Sequence, residues 1–313
     1  MKRLLILVVA LALALFAFTR STAPPNQLDW INALWPGDGG VSRVVSGEVF
    51  DEKTGLKLDV WAPSDVTSGN QKPVLVFFYG GGWAHGQREH YGFAAKAFAA
   101  KGFVVVLPDY RKVPQVRFPA FIEDGAKAMR WVQDNIAKHG GDPERVGLAG
   151  HSAGAHIAML LTLDRSWLLK AGVSPGFVRA TVGLSGPYDF LPFDSRRSIS
   201  AMRAWPRPME TQPIAYAGAD SPPIMVVTGA SDDTVKPRNA ILLARKLNQL
   251  GAIVEFRAYN DLGHEDIVMA LSKPFRGRAP VLAEASAFLQ QHLQKQESED
   301  AKQGRRVSDP PDA

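Results

Sequence analysis

The 313-residue chain predicts an α/β fold, a mainly parallel sheet flanked by helices on both faces. Three observations carry that reading. Short, β-prone apolar runs alternate with longer amphipathic stretches along most of the chain. The central short runs are apolar at nearly every position, as strands covered on both faces must be. Glycine-rich turns follow two of these runs directly, at Gly80 and at Gly150.

Taken in order, Val44–Phe50 and Leu56–Trp61 are separated by the turn-rich Asp51–Gly55 and read as an antiparallel hairpin. Val74–Tyr79 is the first continuous apolar strand. Val104–Leu107, Val146–Ala149, Thr181–Leu184 and Ile224–Thr228 repeat the pattern, and Ile253–Tyr259 supplies the last strand. Helices are expected over Tyr91–Lys101, Pro119–His139, Ala153–Leu163, Pro237–Leu250 and Arg278–Leu293. Right-handed crossovers between parallel strands put a ligand site at the strands' C-terminal ends.

Composition narrows the classes of function. With 46% hydrophobic and 21% charged residues the chain is that of a folded globular protein. The net charge of +5 comes from scattered Lys and Arg, with no run dense enough to follow a phosphate backbone, so no nucleic-acid partner is expected. Cysteine is absent, which excludes disulfides, thiolate nucleophiles and thiolate metal sites. No histidine pair has metal-ligand spacing and HExxH is absent, so no metal site is expected.

The ends are read separately. Lys2 and Arg3 precede an uninterrupted apolar run, Leu4–Phe18, so residues 1–20 read as an export signal or an N-terminal membrane anchor. The run is short for a bilayer span, while Pro24 after Ala23 hinders cleavage; the choice between the two leans to an anchor. The expected location is outside the cytoplasm, either tethered and facing the periplasm or exterior, or secreted. Residues 21–41, rich in Pro, Gly and Asn, read as a linker, and 294–313 as a charged, disordered tail. The catalytic domain is expected over 42–293.

The chemistry starts at Gly150-His-Ser-Ala-Gly154, which follows an expected strand and opens an expected helix. This is the Gly-x-Ser-x-Gly nucleophile elbow, in which a sharp turn lifts the Ser152 hydroxyl clear of the sheet. Tyr79-Gly-Gly-Gly-Trp83, at the end of the first buried strand, is a loop whose backbone can approach a ligand closely. The amides of Gly81, Gly82 and Ala153 are the expected oxyanion donors; loss of one such donor costs about 3–4 kcal/mol. There is no Gly-Lys-Ser/Thr and no GxGxxG, so the glycines do not read as a phosphate cradle. The orienting acid is expected after the Ile224–Thr228 strand, where Asp232 is preferred and Asp233 competes with it. The base is expected between the last strand and the C-terminal helix, at His264. His151 and His156 stand too close to Ser152 in sequence to serve as base and read as packing or hydrogen-bonding groups; His85, His90 and His139 read as surface or pocket-rim groups, and His292 as solvated.

Together these residues resemble the α/β-hydrolase superfamily, and within it the esterase/lipase group with an HGGG-type oxyanion loop. The likeness covers about Val44 to Leu293 and includes Pro108-Asp-Tyr-Arg111, Gly140-Gly-Asp-Pro143 and Ser185-Gly-Pro-Tyr-Asp189. Gly-His-Ser-Ala-Gly-Ala-His156 is similar to carboxylesterases, arylformamidases and a feruloyl-esterase-like branch. One residue departs from the pattern: Tyr79 stands where the group has the loop-shaping histidine. The resemblance implies a sheet of the eight-stranded type, a cap formed by 187–223, and a pocket lined by Trp83, Tyr188, Phe190, Phe193 and Trp205. It implies carboxylic-ester hydrolysis through Ser152, His264 and Asp232, with no cofactor and a small-molecule ester or amide as partner. Arylformamide hydrolysis is the nearest alternative, a serine peptidase a third, and a non-catalytic membrane-tethered binding protein the rival from another class.

Overall fold

A computed structural model describes residues 24–67, 69–174 and 176–294. The segment 1–20 and the tail from 295 onward, with the readings placed on them, lie outside these residues. No helix among the described residues is long and apolar enough to cross a membrane.

The sheet holds eight strands: β1 (Val41–Asp51), β2 (Leu56–Pro63), β3 (Lys72–Phe78), β4 (Val104–Pro108), β5 (Gly141–His151), β6 (Val178–Leu184), β7 (Ile224–Gly229) and β8 (Val254–Tyr259). Their spatial order is β1-β2-β4-β3-β5-β6-β7-β8. The β1–β2 and β2–β4 pairs are antiparallel and every later pair is parallel. All eight expected strands are present. The continuous apolar runs behave as their composition requires: β4 and β7 are buried along their whole length and β3 from Val74 onward. The edge strand β8 alternates over its last residues, because one face meets water.

Helices pack on both faces. In chain order they are α1 (Pro24–Leu34), α2 (Gly92–Ala99), α3 (Ala120–Asn135), α4 (Ala153–Leu163) and α5 (Ser166–Lys170). These are followed by α6 (Arg196–Met202), α7 (Arg238–Gln249), α8 (His264–Met269) and α9 (Val281–His292). Helix α4, which leaves the serine, is apolar apart from His156 and Thr162 and is buried over its first ten residues, so it is a core helix. By contrast, α7 buries one stripe, Asn239, Ala240, Leu243, Ala244 and Leu247, and turns its charges outward.

The stretch 21–41, expected as a linker, carries helix α1. Prolines read there as breakers sit at Pro24 and Pro25, in the first turn, where a missing N–H and a fixed φ are tolerated. Leu28 and Asn32, one turn apart, are buried, and the Asn32 Oδ1 accepts the Lys273 amide at 2.7 Å. The segment 187–223 holds no strand; it contributes α6 and two 3-10 turns, Pro208–Thr211 and Pro213–Tyr216.

Candidate active site

The register places β3 and β5 side by side, with Phe78 opposite Gly150. The glycine-rich loop and the serine turn therefore leave the sheet as neighbours. Ser152 has φ 55° and ψ −121°, a strained conformation costing on the order of 1–3 kcal/mol that the surrounding packing must impose. The two flanking glycines are steric necessities. A Cβ on Gly150 would lie 2.4 Å from the Gly154 carbonyl oxygen, and one on Gly154 would lie 2.0 Å from the Phe78 carbonyl oxygen.

Over the serine sits His264, the first residue of α8. Its Nε2 is 2.9 Å from the Ser152 Oγ, and its Nδ1 is 2.8 Å from the Asp232 Oδ2. A carboxylate only accepts, so Nδ1 carries the hydrogen and Nε2 offers a lone pair to the serine hydroxyl. The remaining Asp232 oxygen accepts the amides of Thr234 at 3.0 Å and Val235 at 2.8 Å, which fixes the carboxylate's orientation. The competition between the two aspartates is thereby decided: Asp232 is buried against the imidazole, while Asp233 is exposed on a cavity wall.

Beside the serine, Gly81 and Gly82 take φ 129° and 60°, and Trp83 follows at 58°. The Gly81 carbonyl accepts the amides of Ala84 at 3.1 Å and His85 at 2.9 Å, which curls the loop into a closed turn. A Cβ on Gly81 would lie 2.3 Å from the His85 carbonyl oxygen. Among the described residues, no protein acceptor takes the amides of Gly81, Gly82 or Ala153. Tyr79 braces the loop from beneath. Its hydroxyl donates to the Asp109 Oδ1 at 3.0 Å and accepts from the Lys112 Nζ at 2.9 Å. Its carbonyl accepts the Tyr110 hydroxyl at 2.9 Å, and the two rings stack with centroids 4.6 Å apart. Burial pushes the Tyr79 phenol well above its usual range and the Lys112 ammonium below its own.

Two cavities meet at Ser152. The first, about 660 Å³, is walled by Trp83, Phe190, Leu191, Pro192, Val235 and Arg197. The second, about 780 Å³, runs under the glycine loop past His85, His90, Asp109, Lys112 and Glu265. Of the expected pocket residues, Trp83 and Phe190 are on the first wall, their rings stacked with centroids 6.0 Å apart. Phe193 packs behind Phe190 at 5.8 Å. Tyr188 and Trp205 require correction. Tyr188 is fully buried, wedged against Gly183 and Gly186, because its backbone is drawn in by the Asn239 side chain, whose oxygen accepts the Tyr188 and Asp189 amides. Trp205 packs edge-on against Phe118 and donates to Glu210 at 2.9 Å, which turns it away from both cavities.

Several wall residues carry no local sequence signal. Arg197, from α6, lies along Gly82, where a Cβ would come within 2.5 Å of the Arg197 Cδ, and it borders both cavities. Only the glycine's missing side chain hints at it. Asn239 and Lys112 were likewise invisible as site neighbours, since each reaches the site across the fold. Of the histidines, His85 and His90 do line the second cavity. His156 is buried edge-on to Trp83, its centroid 5.2 Å away. Its Nε2 lies 2.8 Å from the Thr211 carbonyl, and burial lowers its pKa to about 4. His139 stacks on Trp131, far from the serine loop in the fold, and His292 packs on Phe288.

An eight-stranded, mainly parallel sheet with a strained serine at a strand-to-helix turn, aligned with a histidine and an aspartate from later loops, defines an α/β-hydrolase of the esterase/lipase group. The BD-FAE family model matches residues 58–247. This chain belongs to the BD-FAE family.

Among curated relatives, esterase LipQ of Mycobacterium tuberculosis is 30% identical over 253 residues, covering 74% of this chain and 58% of that protein. The isoprenylcysteine alpha-carbonyl methylesterase ICME of Arabidopsis thaliana is 30% identical over 250 residues, 73% of this chain and 58% of its own. The chain thus spans under two thirds of the length of these relatives. A solved truncated carbohydrate esterase from gut microbiota superimposes with a TM-score of 0.71 at 19% identity, over 83% of this chain and 99% of its own, and shows the shared fold.

Proposed function

We propose that this protein hydrolyses carboxylic esters through an acyl-enzyme on Ser152. The observation that carries the reading is the unbroken line from Asp232 through His264 to the Ser152 hydroxyl, with links of 2.8 and 2.9 Å. In the proposed cycle, His264 Nε2 takes the hydroxyl proton as Oγ attacks the ester carbon. Asp232 holds the tautomer and stabilises the imidazolium. The amides of Gly81, Gly82 and Ala153 donate to the developing oxyanion, and His264 then returns the proton to the leaving alkoxide. Water activated by the same imidazole releases the acid. The activities after which the relatives are named, esterase and methylesterase, support ester over amide substrates. The basic pair Lys2-Arg3 and the apolar run that follows support export or membrane tethering, which cell fractionation of the full chain tests.

A fluorophosphonate probe and a panel of p-nitrophenyl esters test the assignment. Wild type is expected to label and turn over esters, and Ser152→Ala to do neither. Labelling that persists in Ser152→Ala would overturn the reading, and turnover of N-formylkynurenine far above that of esters would move it to formamide hydrolysis.

A further inference from the structure

Behind the serine runs a chain of buried polar groups that the proposed cycle does not use. His151, the residue before the nucleophile, is buried with its Nε2 3.3 Å from the His264 backbone carbonyl. The two imidazole rings lie 4.9 Å apart, centroid to centroid. A carbonyl only accepts, so the His151 Nε2 carries the hydrogen. Burial, and then the neighbouring His264, hold His151 well below the usual histidine range, so the ring is neutral and Nδ1 is an acceptor. The Tyr91 hydroxyl stands 3.5 Å from that Nδ1. It accepts the Gly80 amide at 3.2 Å, which leaves its own hydrogen free to point at Nδ1. Every donor then runs in one direction: Gly80 N–H to Tyr91, Tyr91 O–H to His151, and His151 Nε2–H to the carbonyl of His264.

Room for these groups is tight. A Cβ on Gly80 would lie 2.8 Å from the His151 Nδ1 and 3.1 Å from the Tyr91 hydroxyl. The chain therefore ties three separate pieces of the site together: the start of the glycine loop, the serine turn and the backbone of His264. Buried hydrogen bonds polarise one another in such a network, and removing a member leaves its neighbours without a partner.

We propose that Tyr91 and His151 are positioning residues that set the spacing between the oxyanion amides and the His264 imidazole. The proposal rests on the Ser152 hydrolase reading. Neither residue touches the reacting atoms; each acts through the groups it holds. Acylation and deacylation use the same base and the same amides, so both steps depend on that spacing, and displacements of about 1 Å at a reacting centre cost up to about 100-fold.

The test compares kcat per active site, counted by fluorophosphonate titration, in wild type, Tyr91→Phe, His151→Leu and His151→Gln on a p-nitrophenyl ester. Tyr91→Phe is expected to lower kcat about 5–10-fold and His151→Leu about 30–100-fold, both with KM unchanged. His151→Gln keeps a side-chain N–H for the His264 carbonyl and is expected to recover most of the loss. In the double variant Tyr91→Phe/His151→Leu, the loss is expected to stay near that of His151→Leu alone, since the two act as one chain. Full kcat per titrated site in Tyr91→Phe and His151→Leu would overturn the proposal, whether or not fewer sites titrate. A wild type that neither titrates nor turns over esters would sink the hydrolase reading itself, and this inference with it.

Discussion

The two cavities that meet at Ser152 differ in the balance of their walls. The first sets an aromatic and aliphatic patch, Trp83, Phe190, Leu191 and Pro192, beside charged groups such as Asp194, Arg196, Asp233 and Lys236. The second has the more polar wall, formed by the glycine loop with Arg88, Asp109, Lys112 and Glu265 beside Leu56, Tyr91 and Tyr110. Both share Gly82, Ser152 and Arg197. Under the proposed ester hydrolysis, a substrate attacked at Ser152 would present its two arms to different surroundings: an apolar arm would gain by burial against the aromatic patch of the first, whereas a polar arm would keep hydrogen-bond partners in the second. The difference teaches where selectivity resides. In the proposed reading, chemistry sits on the line between the cavities, and discrimination sits in their walls.

The comparison breaks first at the shared serine. Ser152→Ala should lower kcat by about 10,000-fold or more for every ester, whichever arm is varied, as measured in steady-state assays. Asp232→Asn should cost about 1,000–10,000-fold, because an amide cannot hold the imidazole in the tautomer that the serine needs. Asp233→Asn, on the first wall, should act through KM alone and by less than about 10-fold; a larger kcat loss there than in Asp232→Asn would reverse the aspartate assignment.

Wall substitutions then sharpen it. Phe190→Ala should raise KM about 5–20-fold for esters with a bulky apolar arm and leave short-chain esters near wild type, a matter of about 1–2 kcal/mol of lost contact. Tyr79→Phe, beneath the second cavity, removes the hydroxyl shared by Asp109 and Lys112 and should lower kcat about 3–10-fold without this arm selectivity. If both variants changed the same substrates alike, the cavities would not divide the ester between them.

A last effect lies beneath Trp83 and reads stability, not rate. His156 has a folded pKa of about 4, depressed by burial, so the unfolded chain binds its proton more readily. Stability should therefore fall as pH drops from about 6.5 towards 4 and level off below that, by roughly 3 kcal/mol from this group. His151 adds a slope of the same sign. In urea unfolding series, His156→Leu should lose about one proton's worth of slope over that window; an unchanged slope would mean that His156 is not held neutral.

How much of this was legible depends on whether a local rule sufficed. The strands β3, β4, β5, β6 and β7 were readable because the part of each strand that is covered on both faces has few polar positions to spare. The serine turn was readable because its two glycines answer to clashes within five residues of chain. Helix α1 is hidden in the sequence because prolines mark a linker and a first helical turn alike, and only the position of the helix start separates the two. The first cavity was half legible. Trp83 follows directly from its strand, whereas the directions of Tyr188 and Trp205 depend on Asn239 and Phe118 from distant segments.

By itself, then, the order of residues determined the class of sheet, the serine with its two glycines, and the histidine and aspartate as groups of the right chemistry in the right loops. Tertiary structure alone decided which of Asp232 and Asp233 meets the imidazole, which aromatic rings face Ser152, and how Tyr91 and His151 link the glycine loop to His264. The physical reason is one of range. Steric clashes and burial periodicity act over a few neighbouring residues and leave their mark in the chain, whereas a hydrogen bond between residues 32, 60 or 113 positions apart exists only once packing has brought its ends together.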